Sequence, residues 1–296
     1  MNPVRLFTDT NCDLPKDVRH EHQIGLINFS IYLNDKEISL DPDWRAIKPS
    51  ELYDTLRNGG RVYILSTTDF EIEKKFRRHL LRGEDVLYVG ACGKQSRTLA
   101  KAERIAEKLR IEFPEQRVEI IDSLNASVGQ GFVVMKAAEC LQAGMELDEV
   151  IEQTKAMRNN VIEFCTVETL TYLSKANRVD ARAAMFGNLF NIKPIIISDA
   201  EGNQTSIMKV KGRQAALDKI AELFLENVID PENQEVYITH GDDIDAAEYV
   251  KKKLLDSGVK FKKINVQVVG AIIGVSTGPG MVAIFGMGKE VTYKEK

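Results

Sequence analysis

The amino-acid sequence predicts an α/β protein of two domains, the first built on a parallel sheet with helices on both faces. Three observations predict it. Strand, polar loop and helix recur in that order several times over residues 1–160, the pattern of a sheet wound by crossover helices. The length of 296 residues is more than one compact core usually supports. Hydrophobic residues make up 44% and charged residues 28%, an ordinary globular balance with enough apolar material for a core and an internal cavity.

Val4 to Thr8 reads as the first strand. It runs into Thr8-Asp9-Thr10-Asn11-Cys12-Asp13-Leu14-Pro15, a polar turn rich in helix-capping types. Gly25 to Leu33 reads as a second strand. Pro49-Ser50-Glu51 opens a helix through Leu56, and Gly59-Gly60 stops it. The short apolar run Val62 to Leu65 leads into the hydroxyl cluster Ser66, Thr67, Thr68, and Glu71 to Leu81 is helical by period. Val86 to Val89 is an uninterrupted apolar run, the mark of a strand buried on both faces. A helix is expected from about Ser96 to Phe113, with Ile105, Leu109 and Ile111 near one side. Val118 to Ile121 is another strand, ending in Asp122-Ser123, and Gly129-Gln130-Gly131 opens a helix rich in small residues.

The second half differs. Glu163 to Val167 reads as a strand, Thr169 to Ala176 as a short helix and Ala183 to Leu189 as another helix. Lys193-Pro194-Ile195-Ile196-Ile197 leads into a strand, and Asp199-Ala200-Glu201-Gly202-Asn203 is a hairpin-type turn. Further strands are expected at Val236–Thr239, Ile264–Val268 and Met281–Phe285. The expected boundary divides the chain into residues 1–160 and 161–296, with some crossing of segments near 60–75.

The net charge of −4 implies no basic face, so nucleic acid is not the expected partner. Lys251, Lys252 and Lys253 read as the solvated face of a helix. Cys12, Cys92, Cys140 and Cys165 form no C-x-x-C pair and no zinc-type spacing, so no metal is expected. The opening MNPVRLFTDT lacks the apolar core of a signal peptide, and no apolar run approaches the ~20 residues that span a bilayer. A cytoplasmic protein with reduced thiols is the expectation.

In doubly wound sheets, ligands sit beyond the carboxyl ends of the strands. The residues there are Thr8-Asp9-Thr10, Ser66-Thr67-Thr68, Gly93 to Thr98, and Asp122-Ser123 with Ser127; Ser276-Thr277-Gly278-Pro279-Gly280 adds a Gly-rich turn. Neutral hydroxyls and backbone N–H groups hold an anion without titrating near neutral pH, although the same residues also cap helices and close turns. Phe7-Thr8-Asp9-Thr10-Asn11 is similar to the start of a haloacid-dehalogenase-type phosphatase, but Asn11 stands where that chemistry needs its second Asp. His240-Gly241-Asp242-Asp243 reads as a strand-end turn in preference to a metal site. No Gly-x-Ser-x-Gly elbow and no P-loop occurs in the sequence.

Several stretches in order resemble the DegV family. Thr8-Asp9-Thr10-Asn11-Cys12-Asp13-Leu14-Pro15 resembles its opening T-D-S-x-x-D-L-P, and Asp122-Ser123 with Ser127, Gly129, Gln130 and Gly131 its D-S-x-x-x-S-x-G-Q-G. Leu170-Tyr172-Leu173, Asn177-Arg178-Val179, Gly187, Leu189 and Asn191-Ile192-Lys193-Pro194 resemble its central block, and Gly270 to Gly280 its closing G-x-V-I-G-x-H-x-G-P-G. The resemblance spans nearly the whole chain. It implies an N-terminal Rossmann-like parallel sheet, a C-terminal mixed-sheet α/β domain, and a long-chain fatty acid bound between them by a protein that is not an enzyme and needs no cofactor. Some members present the acyl carboxylate to a fatty acid kinase.

The chain departs from the family pattern where headgroup contacts are implied. Cys92 and Gly93 replace two serines, Ser276 stands at the closing His, and Ala176-Asn177 replaces a double Gly. The carboxylate ligands expected from the resemblance are Ser66, Thr67, Thr68, Ser96, Ser276 and Thr277, with Arg178 as the nearby cation. The expected tail pocket draws on Phe164, Met185, Phe186, Leu189, Phe190, Ile192 and Ile272. Transient contact with a membrane surface is compatible with such a carrier. The alternatives are a small-molecule phosphatase or hydrolase using Asp9 and Asp13, and a sensor of a non-lipid anion.

Overall fold

A computed structural model describes residues 2–176 and 181–295. In chain order the elements are β1 (Val4–Asp9), α1 (Lys16–Glu21), β2 (Gly25–Ile27), β3 (Ser30–Leu33), β4 (Lys36–Ser39), α2 (Pro49–Arg57), β5 (Val62–Leu65), α3 (Asp69–Leu80), β6 (Asp85–Gly90), α4 (Arg97–Glu112), β7 (Val118–Asp122), α5 (Ser127–Gln142) and α6 (Leu147–Met157). There follow β8 (Val161–Thr166), α7 (Thr171–Lys175), α8 (Ala181–Leu189), β9 (Ile192–Ser198), β10 (Gln204–Lys211), α9 (Arg213–Asn227), β11 (Glu235–His240), α10 (Ile244–Asp256), β12 (Lys263–Val268), α11 (Ala271–Thr277) and β13 (Val282–Met287).

The first sheet has the order β2-β1-β6-β7 and is parallel throughout. Every residue of β6 is buried, because alternate side chains enter two different cores. Leu87 and Val89 meet Val133, Val134 and Ala137 of α5 and Val150 of α6. Val86 and Tyr88 meet Ile72 and Phe76 of α3 and Leu99, Ile105 and Leu109 of α4. The second sheet, β10-β9-β8-β13-β11-β12, is mixed: only β11 and β12 run parallel. On one face Phe164, Ile195, Ile197 and Ile284 pack beneath α9 and α10. On the other, Cys165, Ile196, Ala283 and Phe285 face Leu170, Leu173 and Met281.

A third sheet, β4-β3-β5, is antiparallel. The expected single strand over Gly25 to Leu33 is two strands in two sheets. β2 extends the parallel sheet, whereas β3 turns back on β4 through Asn34 and Asp35, both at positive φ, as a two-residue hairpin demands. The break falls at Asn28, whose Nδ2 donates to the Leu40 carbonyl at 2.8 Å. β3 and α2 share a core with Tyr172, Ala271 and Ile272, so this insertion packs against late segments of the chain. No helix among the described residues is long and apolar enough to cross a membrane.

Candidate functional site

The carboxyl ends of the parallel strands, the inner face of the mixed sheet and α11 enclose a cavity of about 560 Å³, within the ~300–1,000 Å³ common for small-molecule sites. Its apolar wall includes Cys165, Ile196 and Phe285 from the mixed sheet, Leu170 at the start of α7 and Leu173 within it, and Ile272 and Ile273 of α11. Ser66 and Arg97 are exposed lining residues and mark a rim.

The hydroxyl geometry at this rim decides what each group can offer. Lys101 Nζ donates to Ser66 Oγ at 3.0 Å and to the Thr67 carbonyl at 2.7 Å. An ammonium has no acceptor, so the Ser66 hydrogen is free to point into the cavity. Ser96 caps α4 and accepts from the Thr98 amide at 3.3 Å, which leaves its hydrogen free as well. The first turn of α4 carries no acidic residue, so its positive dipole end is uncompensated. Arg97, the first residue of that helix, lines the cavity and engages no partner among the described residues.

Ser276 and Thr277 also line the cavity, but their hydroxyls donate to the carbonyls of Ile272 at 3.3 Å and Ile273 at 2.9 Å. In this arrangement they can only accept. Thr67 is buried outside the lining, and Thr68 caps α3 by accepting from the Glu71 amide at 3.2 Å. Of the expected carboxylate ligands, the fold thus brings Ser66, Ser96, Ser276 and Thr277 to one cavity. Arg178 and the side chain of Phe186 lie outside the described residues.

Of the expected tail residues, Ile272 lines the cavity. Phe164 points to the opposite face of its sheet, between Glu163 and Cys165, which line the cavity; alternation along β8 fixes this. Met185, Leu189 and Phe190 are 62%, 73% and 59% exposed. Ile192 is half-buried at the start of β9, paired with Lys211, and Pro194 and Ile196 of that strand line the wall instead.

The carboxyl-end motifs turn out to brace the loops. Asp9 is fully buried; its Oδ1 accepts from the Asn11 amide and side chain, both at 2.9 Å, and its Oδ2 from Tyr88 at 2.5 Å and the Ala91 amide at 3.3 Å. Gln130 donates to Thr8 at 3.0 Å. Burial pushes the Cys92 thiol up to about 11, with the Asp122 charge adding to it, and Cys92 hydrogen-bonds the Gly202 carbonyl. That environment gives an unreactive thiol. His240 accepts the Asp243 amide at 3.1 Å, and Asp243 caps α10, so this segment is the strand-end turn its sequence suggests.

Asp13 is buried and accepts from the Ser127 hydroxyl. Burial raises its pKa to about 6, and hydrogen bonds from Ser127 and the Gly270 backbone offset part of the rise. An unfolded aspartate titrates near 3.8. Between those values the folded state holds a proton that the unfolded state releases, so this group makes stability fall as pH rises through the window and level off above it. The cost at neutral pH is roughly 3 kcal/mol. Asp13→Asn is expected to remove that slope, so the difference in urea midpoint between variant and wild type should grow from about pH 4 to about pH 6 and then stay constant.

The chain matches the family described as "Uncharacterised protein, DegV family" over residues 3–289. It is 30% identical over 293 residues to a DegV domain-containing protein of Clostridium perfringens, covering 96% of this chain and 98% of that one. Among solved structures it is similar to a DegV family protein of Thermus thermophilus described for fatty acid binding, with a TM-score of 0.83, 26% identity, and coverage of 97% of this chain and 99% of the other. A fatty acid binding DegV family protein of Streptococcus agalactiae shares the fold at a TM-score of 0.83 and 23% identity, over 98% and 100% of the two chains.

Proposed function

The chain belongs to the DegV family, and from that premise we propose that it carries one long-chain fatty acid, tail in the cavity and carboxylate at the rim. The carrying observation is the cavity of about 560 Å³, apolar along the mixed sheet and edged by Ser66, Ser96 and Arg97. Each buried methylene contributes roughly 0.8 kcal/mol, so a tail of about 15 methylenes gains about 12 kcal/mol before ordering costs. Neutral hydrogen bonds contribute only about 1 kcal/mol each. The tail therefore sets affinity, and the hydroxyls fix register and keep the acid end paired.

A carrier in place of a catalyst is supported by Asp9, whose two oxygens already accept four hydrogen bonds in a fully buried position. Those bonds occupy the lone pairs that a nucleophilic carboxylate would use. With the headgroup at an exposed rim, a fatty acid kinase would reach the carboxylate without unloading the tail.

Native mass spectrometry of protein purified from cells tests the reading. A mass increment equal to one long-chain fatty acid is expected. Absence of bound lipid, together with no thermal shift from any fatty acid added to the protein, would overturn it. Arg97 supplies a second check. Arg97→Gln should weaken binding of a fatty acid about tenfold at low salt and flatten its salt dependence. The corresponding fatty alcohol, lacking the charge, should bind both proteins equally in calorimetric titrations.

A further inference from the structure

Glu163 is an acid where the proposed tail path needs hydrocarbon. It lies on the inner face of β8, is 9% exposed, and lines the same cavity as Cys165, Ile196 and Phe285. One carboxyl oxygen is fully engaged: Oε2 accepts from the Ser198 hydroxyl at 2.9 Å and from Gln204 Nε2 at 3.1 Å. Gln204 also donates to Ser198 at 2.5 Å, which locks the three side chains together. The other oxygen, Oε1, has no hydrogen-bond partner among the described residues.

A plain alkyl chain laid over this oxygen would strip its water and return nothing, a loss of about tenfold or more in affinity. A chain bearing an oxygen there would do the reverse. Burial raises the pKa of this carboxyl, and a hydroxyl, which both donates and accepts, pairs with a carboxyl or a carboxylate alike.

We propose that the cavity selects long-chain acids carrying a hydroxyl group on the chain, which Glu163 contacts from the Ser198–Gln204 cluster. This rests on the fatty-acid reading above and narrows its ligand class. The rim hydroxyls and Arg97 would hold the carboxylate, and Glu163 would fix how far the chain enters.

The test is a binding panel on delipidated full-length protein: stearic acid against hydroxystearic acids with the hydroxyl at successive positions along the chain. At least one positional isomer should bind the wild type about tenfold tighter than stearic acid. In Glu163→Leu that preference should vanish while stearic acid binds as well or better. Glu163→Gln, which keeps hydrogen-bonding capacity, should retain part of it. Stearic acid equalling or beating every isomer on the wild type would overturn the inference while leaving the carrier reading intact. So would an equal weakening of stearic and hydroxystearic acids in Glu163→Leu, since that marks a headgroup contact. Failure of every acid to bind would overturn both.

Discussion

Cys165→Trp is expected to lose at least about 100-fold in fatty-acid affinity, because even four displaced methylenes forfeit roughly 3 kcal/mol. Cys165 stands on the inner face of β8 opposite Ile196 and Ala283, its thiol on the cavity wall. Among the described residues its thiol makes one hydrogen bond, a 3.8 Å contact to the carbonyl of its own neighbour, Thr166, so replacing the side chain breaks no network. An indole there projects into open space where a tail would run. The fold should survive, since the cavity receives volume that a packed core could not. Phe164→Ala is the matched control one residue away. It should cost about 3–5 kcal/mol of stability, because Phe164 is packed beneath α9 and α10, and leave affinity within about threefold. Titration of delipidated protein with a fluorescent fatty acid, alongside urea unfolding, separates the two effects. Unchanged affinity in Cys165→Trp would mean that the tail does not use this cavity.

The neighbouring pair also shows what a sequence can and cannot reveal. β8 is legible as a strand over Glu163 to Val167, but a strand buried on both sides, with Glu163 and Thr166 three apart, offers no period-2 polar alternation to say which face each residue takes. Phe164 therefore reads as a tail contact until the sheet is seen. The same limit governs residues 25–33. An apolar run without a Gly or Pro in its middle hides the change of sheet at Asn28, and the turn at Asn34-Asp35 only becomes informative once β3 and β4 are known to pair. β6, buried on both faces like β8, is equally silent about which face each residue takes, but its uninterrupted run is enough to place it inside a sheet covered by helices. At the site, Ser66 is legible as a candidate because it follows a strand, Ser96 because it lies in a strand-to-helix loop, and Ser276 and Thr277 because they lead into a Gly-rich turn. Which of them still has a hydrogen to give depends on partners distant in sequence, such as Lys101 for Ser66. Arg97 carries a weaker signal, a cation directly after a capping serine at a strand-to-helix loop, and the sequence alone points to Arg178 ahead of it.

The Gly-rich closing turn demands a different test, because its glycines act on packing. Gly278 has φ 79°, and a Cβ built there would lie 2.0 Å from Cδ2 of Tyr172. Either fact alone would cost a residue other than glycine about 1–3 kcal/mol. Tyr172 cannot simply swing aside: it is buried, and its hydroxyl donates to the Leu56 carbonyl at 3.1 Å, tying α7 to the end of α2. Displacing it would also shift Leu170 and Leu173, which line the cavity on either side of it. Gly278→Ala is therefore expected to lower stability by about 4 kcal/mol, roughly a 6 °C fall in Tm for a chain of this size, and to weaken fatty-acid binding with it. Tyr172→Ala removes the obstructing ring but not the positive φ. If the clash outweighs the backbone strain, Gly278→Ala should cost much less in a Tyr172→Ala background than in the wild type, a coupling that a double-mutant cycle by urea unfolding reads directly. Additive costs would place the whole penalty in the backbone and remove Tyr172 from the account.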